Sequence, residues 1–175
     1  MAGFFALETA TRRRGRASSL EASNEDRGTT RMILGAYAAA ALLAPLLRRA
    51  PAPRLPRGAG PAGIAVEAAG LGLRAWSMLT LGDSYTRTLR AETDQTVIDS
   101  GPYRLVRHPG YAGSLLMWTG FALTSRSVPV IAAVGALLGT AYRRRIDAEE
   151  ALLSRELPGY AAYCGRTRRL IPFVW

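Results

Sequence analysis

The sequence has no lysine, one cysteine (Cys164) and one histidine (His108) among its 175 residues. A lone cysteine excludes a disulfide framework within the chain, and with a lone histidine it excludes a Cys/His zinc site, which takes about four such ligands. All 23 cationic side chains are therefore arginine, and the usual surface mixture of Lys and Arg is missing. Chemistry falls to Arg, Glu, Tyr, the single His, or a bound cofactor.

What is present points two ways. Thirteen acidic groups leave a formal charge of +10, and 49% of the residues are hydrophobic. Mean hydropathy is +0.04 and the pI is near 10.9. The length suits one domain. Strong basicity fits a nucleic-acid binder and the apolar content fits a membrane protein, so the distribution of both along the chain decides.

Residues 1–31 carry six Arg (Arg12, Arg13, Arg14, Arg16, Arg27, Arg31) and four acids among Ser, Thr and Asn. They are expected to form a disordered polar tail. The apolar Met1–Leu7 precedes the Arg run, the reverse of a signal peptide, so neither cleavage nor secretion is expected.

Three apolar runs follow. Residues 32–47 hold no charge, and an Arg/Pro stretch from Arg48 to Pro61 ends that run. Residues 60–81 are interrupted by Glu67 and Arg74, which lie seven apart and so share one helical face. That face would turn into a bundle rather than toward lipid, or else mark a soluble amphipathic helix. From Ala112 to Tyr142 the only charge is Arg126, and Ser125-Arg126-Ser127 with Pro129 punctuates the run. A tight helical hairpin is expected, with arms near 111–125 and 127–142. Each arm is roughly 23 Å long against a bilayer core of about 30 Å, so either flanking residues extend the spans or the pair sits in a thinned or tilted arrangement.

The expected fold class is all-α: an integral membrane helical bundle of about four transmembrane helices (near 32–47, 60–81, 111–125 and 127–142) with a cytoplasmic C-terminal helical segment, 143–175. Four spans return both termini to one side. With that side cytoplasmic, it receives seventeen Arg, and the opposite side receives five (Arg48, Arg49, Arg54, Arg57, Arg126). The positive-inside rule favours this orientation, although the Arg48–Arg57 cluster runs against it. Sustained apolar runs, and Arg clusters without interleaved aromatics, argue against nucleic acid as a partner and for membrane lipids. Beyond Tyr142, helix formers continue with Ile146, Leu153 and Leu157 at near-helical intervals until Pro158-Gly159. The basic, aromatic stretch 160–175 suits a membrane interface.

The stretch Gly101-Pro102-Tyr103-Arg104-Leu105-Val106-Arg107-His108-Pro109-Gly110-Tyr111-Ala112-Gly113 is the most distinctive in the chain. It opens the hairpin and would set the amides near Tyr111–Ser114 at a helix N-terminus, where an anion is favoured. The plainer reading is a capped helix start with Arg on lipid phosphates.

Taken with Leu81-Gly82, Arg145 followed by Glu149-Glu150, Tyr160-x-x-Tyr163 and Arg169-Leu170-Ile171-Pro172, the order of motifs resembles the isoprenylcysteine carboxyl methyltransferase family and its bacterial relatives. The likeness covers about residues 71–175. Together with the apolar runs and the Arg distribution, it leads to the expectation of one methyltransferase domain, 32–175, in a bacterial inner membrane with both termini cytoplasmic. The likeness implies S-adenosylmethionine as cofactor, in a pocket closed by the C-terminal segment, and a lipidic or amphiphilic substrate. Carried over by motif, Gln95, Thr96, Val97 and Ile98 match a cofactor-binding segment. Tyr103, His108, Pro109, Gly110 and Tyr111 match further cofactor contacts, Glu149 a cofactor-binding acid, and Arg145 the position assigned to the substrate carboxylate.

Three departures stand out: Gln95 where many members have His, Leu157-Pro158-Gly159-Tyr160 in place of Phe-Gly-x-x-Tyr, and Arg168 where Pro is common. Methyl transfer is an in-line displacement that needs the acceptor well placed, and a carboxylate acceptor needs no general base. Arg145 can hold it bidentately, with Glu149 four residues on along the same helical face. An i,i+4 surface ion pair is the alternative use of that pair. Other acceptors (a small thiol or a phospholipid amine), an NADPH-binding membrane reductase, and a non-enzymatic membrane adaptor are the competing functions.

Overall fold

The computed structural model describes residues 28–82, 97–172 and 174. These form five α-helices: α1 (Thr29–Leu47), α2 (Ala59–Leu81), α3 (Pro109–Thr124), α4 (Val128–Glu156) and α5 (Tyr160–Arg166), with a 3-10 turn over Gly101–Arg104. Among the described residues the only extended pairings are isolated bridges, Arg54 with Ser127 and Val106 with Arg168. The all-helical expectation holds. Residues 1–27, which bear most of the expected tail, lie outside the described residues, and the first helix takes in Thr29–Arg31.

Small residues decide how closely the helices approach. Ala36, Ala40 and Ala44 form the buried stripe of α1 and share a core with Val130, Val134, Leu138, Ala141 and Tyr142 of α4. Helices α2 and α3 meet backbone to backbone. A Cβ on Gly63 would lie 2.7 Å from the Gly120 carbonyl oxygen, and one on Gly70 would lie 2.6 Å from that of Gly113. Glycine on both sides is the only fit for such a crossing, the device by which helices pack closely in lipid. Arg74 lies on this seam, 6% exposed. Its Nη1 donates to the Gly110 carbonyl at 3.2 Å and to Ser114 Oγ at 2.6 Å, so it faces the bundle interior as its sequence spacing implied.

The hairpin arms differ in length. Helix α3 starts on Pro109, whose missing N–H costs nothing at a first position. Helix α4 does not stop where the apolar run stops. Its buried stripe Val130, Val134, Leu138, Tyr142, Arg145, Ile146, Glu150 continues into the charged segment, and Leu157 and the left-handed Gly159 (φ 83°) end the helix. At one end of the bundle the 48–58 connection meets the hairpin turn. There Arg126 donates to the Leu55 carbonyl at 2.8 and 3.0 Å, and Ser127 Oγ reaches the Leu47 carbonyl. The other end gathers Thr29, the 97–109 segment, the last turns of α4, and α5. The helices thus alternate in direction. Helices α1 and α2 are long and apolar enough to cross a membrane, and large apolar side chains such as Leu42, Leu46, Ile64 and Leu79 are exposed around them.

Candidate active site

Four of the side chains singled out from sequence meet at the end of the bundle opposite the hairpin turn. His108, immediately before α3, stacks on Tyr111 with ring centroids 5.6 Å apart and planes 12° from parallel. The Tyr111 hydroxyl donates to Glu149 at 2.5 Å and accepts from Arg145 Nε at 3.0 Å. Arg145 Nη1 reaches back to Thr29 Oγ1 at 2.9 Å and Thr30 Oγ1 at 3.1 Å on the first turn of α1. Glu149 Oε2 stands 3.8 Å from Arg145 Nε and Glu149 Oε1 3.9 Å from His108 Nδ1. The i,i+4 pair is therefore not a surface pair: the Arg145 side chain is 4% exposed and that of Glu149 23%. Aromatic contacts continue inward from Tyr111 to Tyr142, from Tyr142 to Tyr37, and from Tyr37 to Trp118, joining the site to the bundle core.

Glu150, one residue on, has a different environment. Its Oε1 accepts from Arg107 Nε at 2.8 Å and from His108 Nε2 at 3.1 Å, and its Oε2 pairs with Arg169 Nη2 at 2.8 Å. Burial works against its charge, but the hydrogen bonds from His108 and Arg107 prevail and hold the carboxyl down at about 2. Arg107, whose charge burial also opposes, is in turn raised above its ordinary value by the hydrogen bond to Glu150.

The C-terminal segment closes over this network. The Arg107 and His108 amides donate to the Arg168 and Arg169 carbonyls at 2.7 and 3.0 Å. Arg107 Nη1 binds the carbonyls of Thr167 and Cys164, and the Tyr163 hydroxyl binds the Tyr103 carbonyl at 2.6 Å. Burial raises the Cys164 thiol, which keeps it protonated and unsuited to nucleophilic work.

The remaining predicted site residues sit around this centre. Tyr103 is buried against α5, Pro109 begins α3, and the Gly110 carbonyl is taken by Arg74. Val97 packs on the cluster of Leu157, Tyr160 and Tyr163. Ile98 follows it, half-buried. Gln95 and Thr96 lie outside the described residues. The helix-terminus anion site expected near Tyr111–Ser114 is corrected: the Tyr111 and Ala112 amides both bond the His108 carbonyl, so they are already satisfied.

Sequence reasoning quoted Arg107, Glu150 and Arg169 without giving them roles. The available signal was charge: Glu149 and Glu150 are two adjacent acids within the most Arg-rich part of the described chain, where each must find a cation.

The donor set suits a ligand that carries both signs of charge. Glu149 is the more exposed carboxylate beside two aromatic rings, a setting for a cationic centre. The buried Tyr160 hydroxyl, next to Val97, has no hydrogen-bond partner among the described residues. Among those residues no group of three or more His, Cys, Asp or Glu is placed to hold a metal ion.

Comparison with known proteins begins with the family. The profile of the isoprenylcysteine carboxyl methyltransferase (ICMT) family matches residues 64–155. A cobalt-zinc-cadmium resistance protein, CzcN, of Cupriavidus metallidurans is 30% identical over 103 residues, covering 58% of this chain and 48% of that protein. Probable protein-S-isoprenylcysteine O-methyltransferases of Oryza sativa, in the indica and japonica subspecies, are 31% identical over 106 residues, covering 58% of this chain and 55% of theirs. The chain thus aligns with about half the length of these relatives. The solved structure of the eukaryotic intramembrane Ras methyltransferase ICMT shares the fold, with a TM-score of 0.67 at 20% identity, covering 97% of this chain and 61% of that one.

Proposed function

Since the chain belongs to the isoprenylcysteine carboxyl methyltransferase family, we propose that it is a membrane methyltransferase that moves a methyl group from S-adenosylmethionine to the carboxylate of an isoprenylcysteine-like lipidic substrate. The observation that carries this reading is the meeting of His108, Tyr111, Arg145 and Glu149, drawn from α3, α4 and the loop between α2 and α3, at one end of an apolar bundle. When bound, the sulfonium cofactor supplies an electrophilic methyl. The residues of this chain supply position and charge.

Glu149 would hold the cationic part of the donor, and the stacked His108 and Tyr111 beside it would add aromatic contacts. Gln95, Thr96, Val97 and Ile98, with Tyr103, Pro109 and Gly110, form the remaining donor-binding set in this reading. Arg145 takes the substrate carboxylate by exchanging its Thr29 and Thr30 hydroxyl partners for charged oxygens, a stronger class of hydrogen bond. No proton needs to be removed from a carboxylate acceptor, which agrees with a site whose polar groups are engaged in holding rather than poised as bases.

In this reading the domain spans 32–175 and the bundle crosses the membrane four times. Helices α1 and α2 meet the length requirement outright, and α3 with its 16 residues crosses a locally thinned region. Both termini lie in the cytoplasm of a bacterial cell, on the side of the site and of most Arg residues.

Titration of detergent-purified protein with S-adenosylmethionine and, separately, with NADPH tests the donor. A labelled-methyl assay over carboxylates, thiols and amines tests the acceptor. Binding of the methyl donor and transfer to a prenylated carboxylate are expected, with loss of transfer in Arg145→Ala and Glu149→Ala while the helical content is kept. Full activity in both variants would sink the site assignment, and binding of NADPH alone would point to a reductase.

A further inference from the structure

The last described turns of the chain are tied down through one carboxylate. Glu150 joins three parts of the fold: Arg107 and His108 ahead of α3, its own helix α4, and Arg169 beyond α5. Its two oxygens divide the work, with Oε1 on the loop side and Oε2 on the tail side. Around it lie the parallel backbone bonds from Arg107 and His108 to Arg168 and Arg169. Glu149 is turned to the other side of this layer, toward Tyr111 and Arg145.

We propose that Glu150 is a positioning residue that latches Thr167–Arg169 across His108. It thereby governs how long a ligand stays against His108, Tyr111 and Glu149, while making no contact with the reacting atoms. The ligand side of this inference rests on the methyl-donor reading, and the latch itself does not. The geometry separates the two glutamates by task. The Arg169–Glu150 pair reinforces the two backbone bonds that hold the tail, whereas the Tyr111–Glu149–Arg145 contacts lie outside that set. Arg169 also pairs with Asp147 at 3.0 Å, on the outer side of α4. Arg107 keeps the Thr167 and Cys164 carbonyls independently of Glu150. Loss of the carboxylate therefore loosens the tail without removing every tie, and the remaining ties hold the fold.

The test compares Glu150→Gln with Glu149→Gln in the full-length, detergent-purified protein. In Glu150→Gln, amide hydrogen exchange in peptides spanning 103–110 is expected to rise about tenfold or more, as one charge-assisted bond is lost. Dissociation of S-adenosylmethionine should accelerate by a similar factor, and methyl transfer at saturating donor should stay within about twofold. In Glu149→Gln the exchange should be unchanged and transfer lost.

Unchanged exchange in Glu150→Gln would overturn the latch. So would a fall in saturated transfer with exchange and dissociation unaltered, which would make Glu150 catalytic. Arg169→Gln, which leaves Arg107 and His108 on Glu150, should reproduce the exchange phenotype and carries the test if Glu150→Gln does not fold. The double variant should fall short of the sum of the two single ones, and fully additive effects would count against a shared latch. If the wild type fails to bind S-adenosylmethionine, the donor reading falls, while the exchange measurement still decides the latch.

Discussion

Glu150 accepts from Arg107 and His108 and pairs with Arg169, whereas Glu149 accepts from Tyr111 and keeps 23% of its side chain exposed. The difference has a pH signature. The Glu150 carboxyl sits at about 2 in the fold against an ordinary value of 4.5. A depressed value means that this group stabilises the fold above about pH 4.5 and that its contribution disappears as pH falls toward 2. Thermal unfolding in detergent is expected to hold steady for this group from pH 5 to pH 8 and to weaken below about pH 4. The Glu150→Gln variant should show a lower plateau and a shallower acid loss; an acid loss as steep as the wild type's would place the titrating group elsewhere. Arg145 makes a second residue-scale prediction. Arg145→Lys keeps the charge but cannot reach Tyr111 and the two Thr hydroxyls with one planar fork, so transfer should fall by about tenfold or more. A labelled-methyl assay checks it. Arg145 and Glu149 stood out through the resemblance to the family's order of motifs, since their i,i+4 spacing taken alone fits a surface ion pair equally well. Thr29 and Thr30 did not, since their partner lies over a hundred residues away and a pair of Thr beside an Arg-rich tail has no distinguishing pattern.

Helices were legible where apolar runs and breakers marked them. The hairpin around Ser125-Arg126-Ser127 and the stop at Pro158-Gly159 fall where the sequence placed them. The continuity of α4 was hidden, because hydropathy changes at Tyr142 while helix propensity does not. The glycine seam was hidden as well. Gly63, Gly70, Gly113 and Gly120 look like any other glycines in apolar helices until their partner backbone is known, whereas Gly72, on the same helix, meets nothing within 4 Å. The contrast gives an internal control. Gly70→Leu should destabilise the protein by about 1–3 kcal/mol or more, since backbone atoms on both sides cannot yield. Gly72→Leu should stay within about 0.5 kcal/mol. Thermal unfolding of both variants in one detergent measures the difference, and equal stability would mean that α2 and α3 are not packed at the seam.

The whole molecule is polar in the sense that matters to a membrane protein, with its two ends unlike in charge and chemistry. The site end carries His108, the two glutamates and most of the described arginines; the other end carries Arg48, Arg49, Arg54, Arg57 and Arg126. In a Cys164→Ser background, Arg57→Cys should react with an impermeant thiol reagent from outside the cell, and Arg155→Cys only after the membrane is opened. The reverse result would invert the proposed orientation. The unbroken run of α4 from Val128 to Glu156 adds a constraint of phase. A residue inserted between Val128 and Tyr142 would rotate everything beyond it by about 100°, turning Arg145 and Glu149 away from Tyr111, while three or four inserted residues would nearly restore the bearing. The spacing of a greasy, chemically silent stretch is thereby bound to the angular alignment of the groups that follow it.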